Sequence, residues 1–377
     1  MGLSSGEIPR RIPLGFLGML ALVAASEAFI ARNDLKFSRL DAEDWKATAR
    51  VAAGELPMGG VFFFGDSQVK YGVSPLLLES KLGQPSHCLA IQGGQAPSTY
   101  FLLRRALDSG VNPSAIVVDF EPHLFRDGID HNRRMWPELA TLGECLELAW
   151  TAGDAPAFAS MALGRLLPSY RERFEIRGNI MAALRGEVPQ TPLWLMMARR
   201  NTGMNRGAVA MAKELHGNYE IDKWANPTPK AWAPDPVNET YARKVFDLAT
   251  RNKIPVFCML MPVHPEVQAK YEKNGIEGRY SAWLRGMQAR YPYLYVLDWH
   301  HSDYREGVFT DALHLDKEGA LSLTGALGDY LGRCLRGEGV DVRWVRMPAF
   351  RSDGIALAVE DTSTSNLFTQ SSANRRR

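Results

Sequence analysis

The chain has 377 residues, 46% hydrophobic and 23% charged, enough apolar material for a large packed core, so wholesale disorder is excluded. Its 44 Lys plus Arg against 42 Asp plus Glu leave a net charge of +2, and no long basic block lies inside the apolar part of the chain. That balance argues against nucleic acid as a partner, because such binding rests on phosphate neutralisation. Four cysteines, Cys88, Cys145, Cys258 and Cys334, are too few and too scattered for a disulfide framework and form no C-x-x-C pair, so they read as small core residues.

Residues 1–40 read as an address. Arg10 and Arg11 precede an apolar run from Ile12 to Ala31 that is interrupted by one carboxylate, Glu27. Its unbroken part, residues 12–25, suits the apolar region of an export signal better than a full span of about twenty residues. A cleaved signal and a retained membrane anchor both place the working domain outside the cytoplasm, secreted or held at the cell envelope. The alternative is a buried N-terminal helix of a cytoplasmic protein.

From residue 60 onward, short β-branched and aromatic runs alternate with helical patterns, which predicts an α/β fold with a parallel sheet and helices on both faces. Five strands are expected, at 60–65, 88–91, 115–120, 255–261 and 294–297. Their continuous hydrophobicity is what strands covered on both faces require. Helices are expected at 75–82, 98–109, 239–251, 265–290 and 317–335, the last with Ala320, Leu323, Leu327, Leu331 and Cys334 on one stripe. The gap of about 130 residues between the third and fourth strands is far longer than one crossover helix needs and predicts a helical insertion, with 201–235 as irregular loop. The resulting division is an N-terminal segment, 1–40; an α/β domain formed by 41–127 and 236–345; an insertion, 128–235; and a polar, disordered tail, 346–377.

In an open parallel sheet the ligand site lies beyond the carboxyl ends of the strands. There the sequence turns polar: Gly65-Asp66-Ser67-Gln68 after the first strand, Gln92-Gly93-Gly94-Gln95 after the second, Glu121-Pro122-His123 after the third, Pro262-Val263-His264 after the fourth, and Asp298-Trp299-His300-His301 after the fifth. A serine at a strand-to-helix turn is exposed at the sheet edge, and the helix behind it favours developing negative charge. Such a hydroxyl needs a base and the base needs an orienting carboxylate. Asp311 and His314, three residues apart just before the final helix, supply both.

The two blocks Phe64-Gly65-Asp66-Ser67 and Asp311-x-x-His314-Leu315, with Gly319 downstream, resemble the SGNH or GDSL hydrolase superfamily. The resemblance covers about residues 60–125 and 238–335 and implies a five-stranded, three-layer, flavodoxin-like α/β/α sandwich. It also implies Ser67 as nucleophile, His314 as base and Asp311 as its orienter, with no cofactor and no metal. The Ser67 N–H and Gly93 or Gly94 would donate to the oxyanion. The family's third block supplies an asparagine amide to that hole, whereas here the third strand ends Glu121-Pro122-His123; His123 or Asn132 would have to fill the place. In lacking that block and carrying an apolar N-terminus, the chain is similar to the branch that includes alginate O-acetyltransferase-like proteins.

The expected function is therefore an exported serine esterase removing an O-acyl group from an envelope carbohydrate, or from another small ester. The alternatives are an O-acyltransferase on a polysaccharide and an inactive carbohydrate-binding scaffold on the same fold. Trp136, Trp194, Trp224, Trp232, Tyr170 and Tyr219 of the insertion offer faces for sugar stacking, although packing is the more common use of such residues. Asp298, His300, His301 and Asp303 read as a solvated polar loop before a metal site, His264 as structural, and Arg133 and Arg134 as a solvated pair before an anion clamp.

Overall fold

The computed structural model describes residues 14–54, 56–187, 191–212, 231–338, 342–352 and 359–362. The apolar N-terminal run forms α1 (Leu14–Arg32), long and apolar enough to cross a membrane, with a mean hydropathy of 2.0 and none of that window buried. Glu27 accepts hydrogen bonds from the Ser169 N–H at 2.9 Å and from the Ser169 hydroxyl. After α2 (Asp34–Phe37) comes α3 (Leu40–Ala52), a helix the sequence reading did not isolate because its inner face is mostly alanine. Ala42, Trp45, Ala49 and Ala52 recur at helical spacing and are buried, Trp45 completely.

The domain then alternates strand and helix. β1 (Val61–Phe64), α4 (Ser67–Gly72), α5 (Pro75–Leu82), β2 (Ser86–Cys88), α6 (Ala96–Asp108) and β3 (Ala115–Val118) form its first half. Among the described residues, the helical region between β3 and β4 comprises α7 (Pro122–Arg126), a 3-10 turn (Ile129–Asn132), α8 (Trp136–Leu139), α9 (Leu142–Ala152), α10 (Ala155–Leu166), α11 (Pro168–Arg171), α12 (Arg173–Leu184) and α13 (Thr191–Met204). The second half is α14 (Pro236–Arg251), β4 (Val256–Leu260), α15 (Pro265–Lys273), α16 (Ile276–Arg290), β5 (Leu294–Asp298), α17 (Lys317–Leu335) and β6 (Trp344–Arg346). Every neighbouring pair is parallel, in the order β2-β1-β3-β4-β5-β6.

Three elements differ from expectation. The sheet has six strands and not five, because Trp344–Arg346 adds to the edge of β5; three half-exposed residues carry too little hydrophobic pattern to be read as a strand. The expected helix at 265–290 is two helices, α15 and α16, broken where Gly275 adopts φ 67°. The stretch expected as loop begins inside α13, which runs to Met204; residues 213–230 of that stretch lie outside the described residues.

Both faces of the sheet are packed. Phe62, Phe64, Ile116, Val118, Val256 and Cys258 join the cluster that includes α3, α6, α14 and α16, whereas Val61, Phe63, Ala115, Val117, Phe257 and Met259 join the one built on α4, α5 and α17. Period-two alternation thus feeds two cores, which is why the strands read as unbroken apolar runs. The insertion shares the first core: Trp136 of α8 meets Trp45 of α3 edge-on, centroids 5.1 Å apart. Past β6, the Met347 N–H bonds the Asp298 carbonyl and Val359 is buried; residues 353–358 and 363–377, where most of the expected tail falls, lie outside the described residues. All four cysteines are free.

Candidate active site

The sheet order places β2 and β3 on opposite sides of β1, so a crevice opens beyond the carboxyl ends of β1 and β3. Gly65 follows β1 with φ 140°, a conformation that favours glycine, and a Cβ there would lie 3.1 Å from the Asp119 carbonyl oxygen. Asp66 caps α4 by accepting the Gln68 N–H at 2.7 Å, which leaves Ser67 at the first helical position with its hydroxyl at the crevice.

The other half of the constellation comes from the loop before α17. An isolated bridge pairs Phe309 with Leu315, and the Thr310 N–H bonds the His314 carbonyl at 2.8 Å, so residues 309–315 form a closed turn. Within it the Asp311 Oδ1 accepts the N–H groups of Leu313 and His314 at 2.8 and 2.9 Å. Its Oδ2 lies 2.6 Å from His314 Nδ1, and His314 Nε2 lies 2.7 Å from Ser67 Oγ, joining residues 247 positions apart. Burial pulls the Asp311 carboxyl upward, but the hydrogen bond from His314 and the two backbone N–H groups hold it below its ordinary range. An ionised aspartate on Nδ1 keeps Nε2 free to take the serine proton.

Ser67, Gly93, Asn132 and His314 line a cavity of about 480 Å3. Gly93 has φ 68°, and the neighbouring Gly94 spends its N–H on the Ile91 carbonyl at 2.9 Å. Of the two glycines, Gly93 is the one that faces the cavity. The Asn132 amide reaches back beside it, Nδ2 donating to the Gly93 carbonyl at 2.7 Å and to Gln95 Oε1 at 3.0 Å. His123 is buried against the ring of Tyr271, centroids 5.4 Å apart.

Residues that the sequence reading missed hold this loop in place. Asp44 of α3 accepts the Gln92 N–H at 3.0 Å, and Trp45 Nε1 donates to the Gln92 carbonyl at 2.8 Å. Asp44 is itself ion-paired at 2.6 Å with Lys70 of α4, both side chains buried. Tyr71, one turn after Ser67, sets its ring edge-on to His314, centroids 5.0 Å apart. Only the four-residue spacing from Ser67 to Tyr71 was visible beforehand; the Asp44–Lys70 pair had no local signal.

Beneath the serine lies a knot of carboxyls. Burial first, and Glu121 second, push Asp66 up to about 8, while burial together with Asp66 and Glu121 pushes Asp119 well above the carboxylate range. Glu121 Oε2 accepts the Leu124 N–H at 2.8 Å, and Oε1 accepts the Tyr271 hydroxyl at 3.2 Å.

Arg133 and Arg134 line the cavity, each engaged by carboxylates: Arg133 by Asp130 and Asp154, Arg134 by Glu175 at 2.7 Å. His264 is buried and caps α15, its Nδ1 accepting the Glu266 N–H at 3.3 Å. In the 298–303 loop, Asp298 Oδ2 accepts Trp344 Nε1 at 3.1 Å and His300 is half-buried. Among the described residues the grouping with ligand-like spacing is Glu272, Glu277 and His301, with ligand atoms within 4.8 Å of one another; His301 Nε2 is paired to Glu277 at 2.9 Å. Among the insertion aromatics, Trp136 and Trp232 are buried and donate to the carbonyls of Ile129 and Pro122, so they serve packing. Tyr170 lies under the Arg173 guanidinium, 4.3 Å from its ring centroid. Tyr219, Trp224 and the Trp194 side chain lie outside the described residues. The sequence matches no protein-family model and no curated protein.

Proposed function

We propose that the protein is an extracytoplasmic serine esterase of the SGNH type, a three-layer α/β/α fold, that removes an O-acyl group from an envelope carbohydrate through an acyl-Ser67 intermediate. The observation that carries this reading is the unbroken relay from Ser67 Oγ to His314 Nε2 at 2.7 Å and from His314 Nδ1 to Asp311 at 2.6 Å. The exposed apolar helix α1 supports delivery to, or anchorage at, a membrane.

In this mechanism Ser67 Oγ attacks the ester carbonyl while its proton passes to His314 Nε2. The new Oγ–C bond leaves negative charge on the former carbonyl oxygen, which the Ser67 and Gly93 N–H groups receive, with the Asn132 amide bracing the Gly93 peptide. The C–O bond to the sugar then breaks, and the sugar oxygen takes the proton back from His314. Water enters on the same base and repeats the sequence, releasing the carboxylic acid and restoring Ser67. A sugar hydroxyl entering in place of water would give O-acyl transfer instead.

A fluorophosphonate probe tests the reading, since it needs an activated serine and no knowledge of the substrate. The expected result is covalent labelling at Ser67 that disappears in His314→Ala. A folded protein that takes no label is a scaffold on an inactive fold and overturns the proposal.

A further inference from the structure

We propose that the acyl group carried by Ser67 is a medium- to long-chain one, and that its tail is housed in a second, apolar cavity beside the catalytic one. This inference rests on the serine-esterase reading and deepens it. The second cavity, of about 750 Å3, lies between α3, α13 and the β2 edge of the sheet. Its volume is within the range of about 300–1,000 Å3 typical of small-molecule sites. Ala47, Val51, Leu195, Ala198, Val209 and Met211 contribute to its wall.

Two features choose the occupant. The first is adjacency: Tyr71 and Gln92 line both cavities. The partition between them is therefore the Tyr71 side chain, one turn beyond the nucleophile, against the Gln92 loop. A chain whose carbonyl is bonded to Ser67 has this apolar cavity directly behind that partition. The second feature is charge. Lys70 is committed to Asp44 at 2.6 Å and to the carbonyls of Gly207 and Ala90 at 3.0 and 3.2 Å; Glu43 is paired with Arg199. Burial, together with Lys70 and Arg206, pushes His87 down to about 4, so it is uncharged at neutral pH. Among the described residues a charged ligand would find no unmatched counter-charge here, whereas an uncharged methylene chain gains from every group it buries. The polar catalytic cavity, with Arg133, Asp130 and Asn132 in its wall, is left for the alcohol half of the ester. Acylation is balanced as above: the Ser67 Oγ–C bond forms, the donor's C–O bond breaks, and the serine proton leaves on the donor alcohol through His314.

The test uses the full-length protein in lipid nanodiscs with p-nitrophenyl esters from C2 to C12, and with ethyl- and decyl-chain fluorophosphonates. Beyond C4, kcat/KM should rise by about fourfold per added methylene until the cavity is filled, and the decyl probe should label at least ~10-fold faster than the ethyl probe. Ala198→Trp narrows the cavity without touching Ser67, His314 or Asp311. It should cut C10 cleavage by at least ~10-fold while leaving C2 cleavage unchanged; Ala47→Phe serves the same purpose if that variant does not fold. Ser67 labelling with a flat or falling chain-length profile would overturn the inference and leave the esterase reading standing. No labelling by either probe would overturn both.

Discussion

At Ser67 the local sequence supplies position and the distant loop supplies the histidine partner, so on the esterase reading the two should be separable by substitution. Ser67→Ala and His314→Ala are each expected to lower ester cleavage by about 10⁶-fold, with no further loss in the double variant because the groups act as a unit. Asp311→Asn should cost about 10⁴-fold, since the amide favours the wrong imidazole tautomer. Initial rates on a chromogenic ester, with circular dichroism to confirm folding, check all four. Asn132→Ala should lower turnover by up to about 100-fold by letting the Gly93 peptide shift out of place, whereas His123→Ala, away from the cavity wall, should change it far less. Equal losses from both would place His123 in the hole. The buried Asp66 gives a pH signature. Its carboxyl is raised to about 8 in the fold against about 3.9 in an unfolded chain, so the native state holds the extra proton between those values and stability falls as pH rises through that window. Asp66→Asn keeps an oxygen for the Gln68 cap and should flatten the decline, measured by urea unfolding at pH 5 to 8.

The elements matter here for what they hold. Helix α3 is outside the alternating α/β run, yet Asp44 and Trp45 grip the Gln92 peptide on both sides and Lys70 ties that grip to α4. Asp44→Ala leaves a buried ammonium without its carboxylate and should destabilise the protein by about 3–5 kcal/mol, read from the denaturant midpoint. Because the same change frees the Gln92-Gly93 turn, kcat should fall while the fluorophosphonate still finds Ser67 at saturating probe. Gly94 is constrained differently. A Cβ there would lie 2.4 Å from the Gly65 carbonyl oxygen, backbone that cannot retreat without moving the Gly65-Asp66-Ser67 turn. Gly94→Ala should therefore cost about 1–3 kcal/mol from overpacking and lower activity with it.

For the whole molecule, the exposed apolar helix α1 bears on where the protein works. Residues 1–40 fused to a reporter that functions only outside the cytoplasm should give signal, and an inactive, cytoplasmic fusion would remove the extracytoplasmic reading. The insertion is part of this picture because Ser169 of α11 bonds Glu27 of α1, so the apolar helix rests against the helical region that flanks the site. Glu27→Ala removes the acceptor for the Ser169 N–H and hydroxyl; it should increase proteolysis between α1 and α3 and leave ester cleavage intact.

The all-parallel α/β sheet and the helical region between β3 and β4 were legible in the sequence because their signals are local. Unbroken apolar runs mark strands covered on both faces, and 3.6-residue stripes mark the helices that cover them. Ser67, Asp311 and His314 were legible for a related reason, each lying in a short motif at a strand end or just before a helix. What the tertiary structure decided is every relation that spans the chain. It brought His314 to Ser67 across 247 residues, set Asn132 and not His123 beside Gly93, put α3 under the Gln92 turn, and added β6 to the edge at β5. None of these leaves a periodic trace, because a hydrogen bond or ion pair between distant positions constrains two residues and leaves their neighbours free.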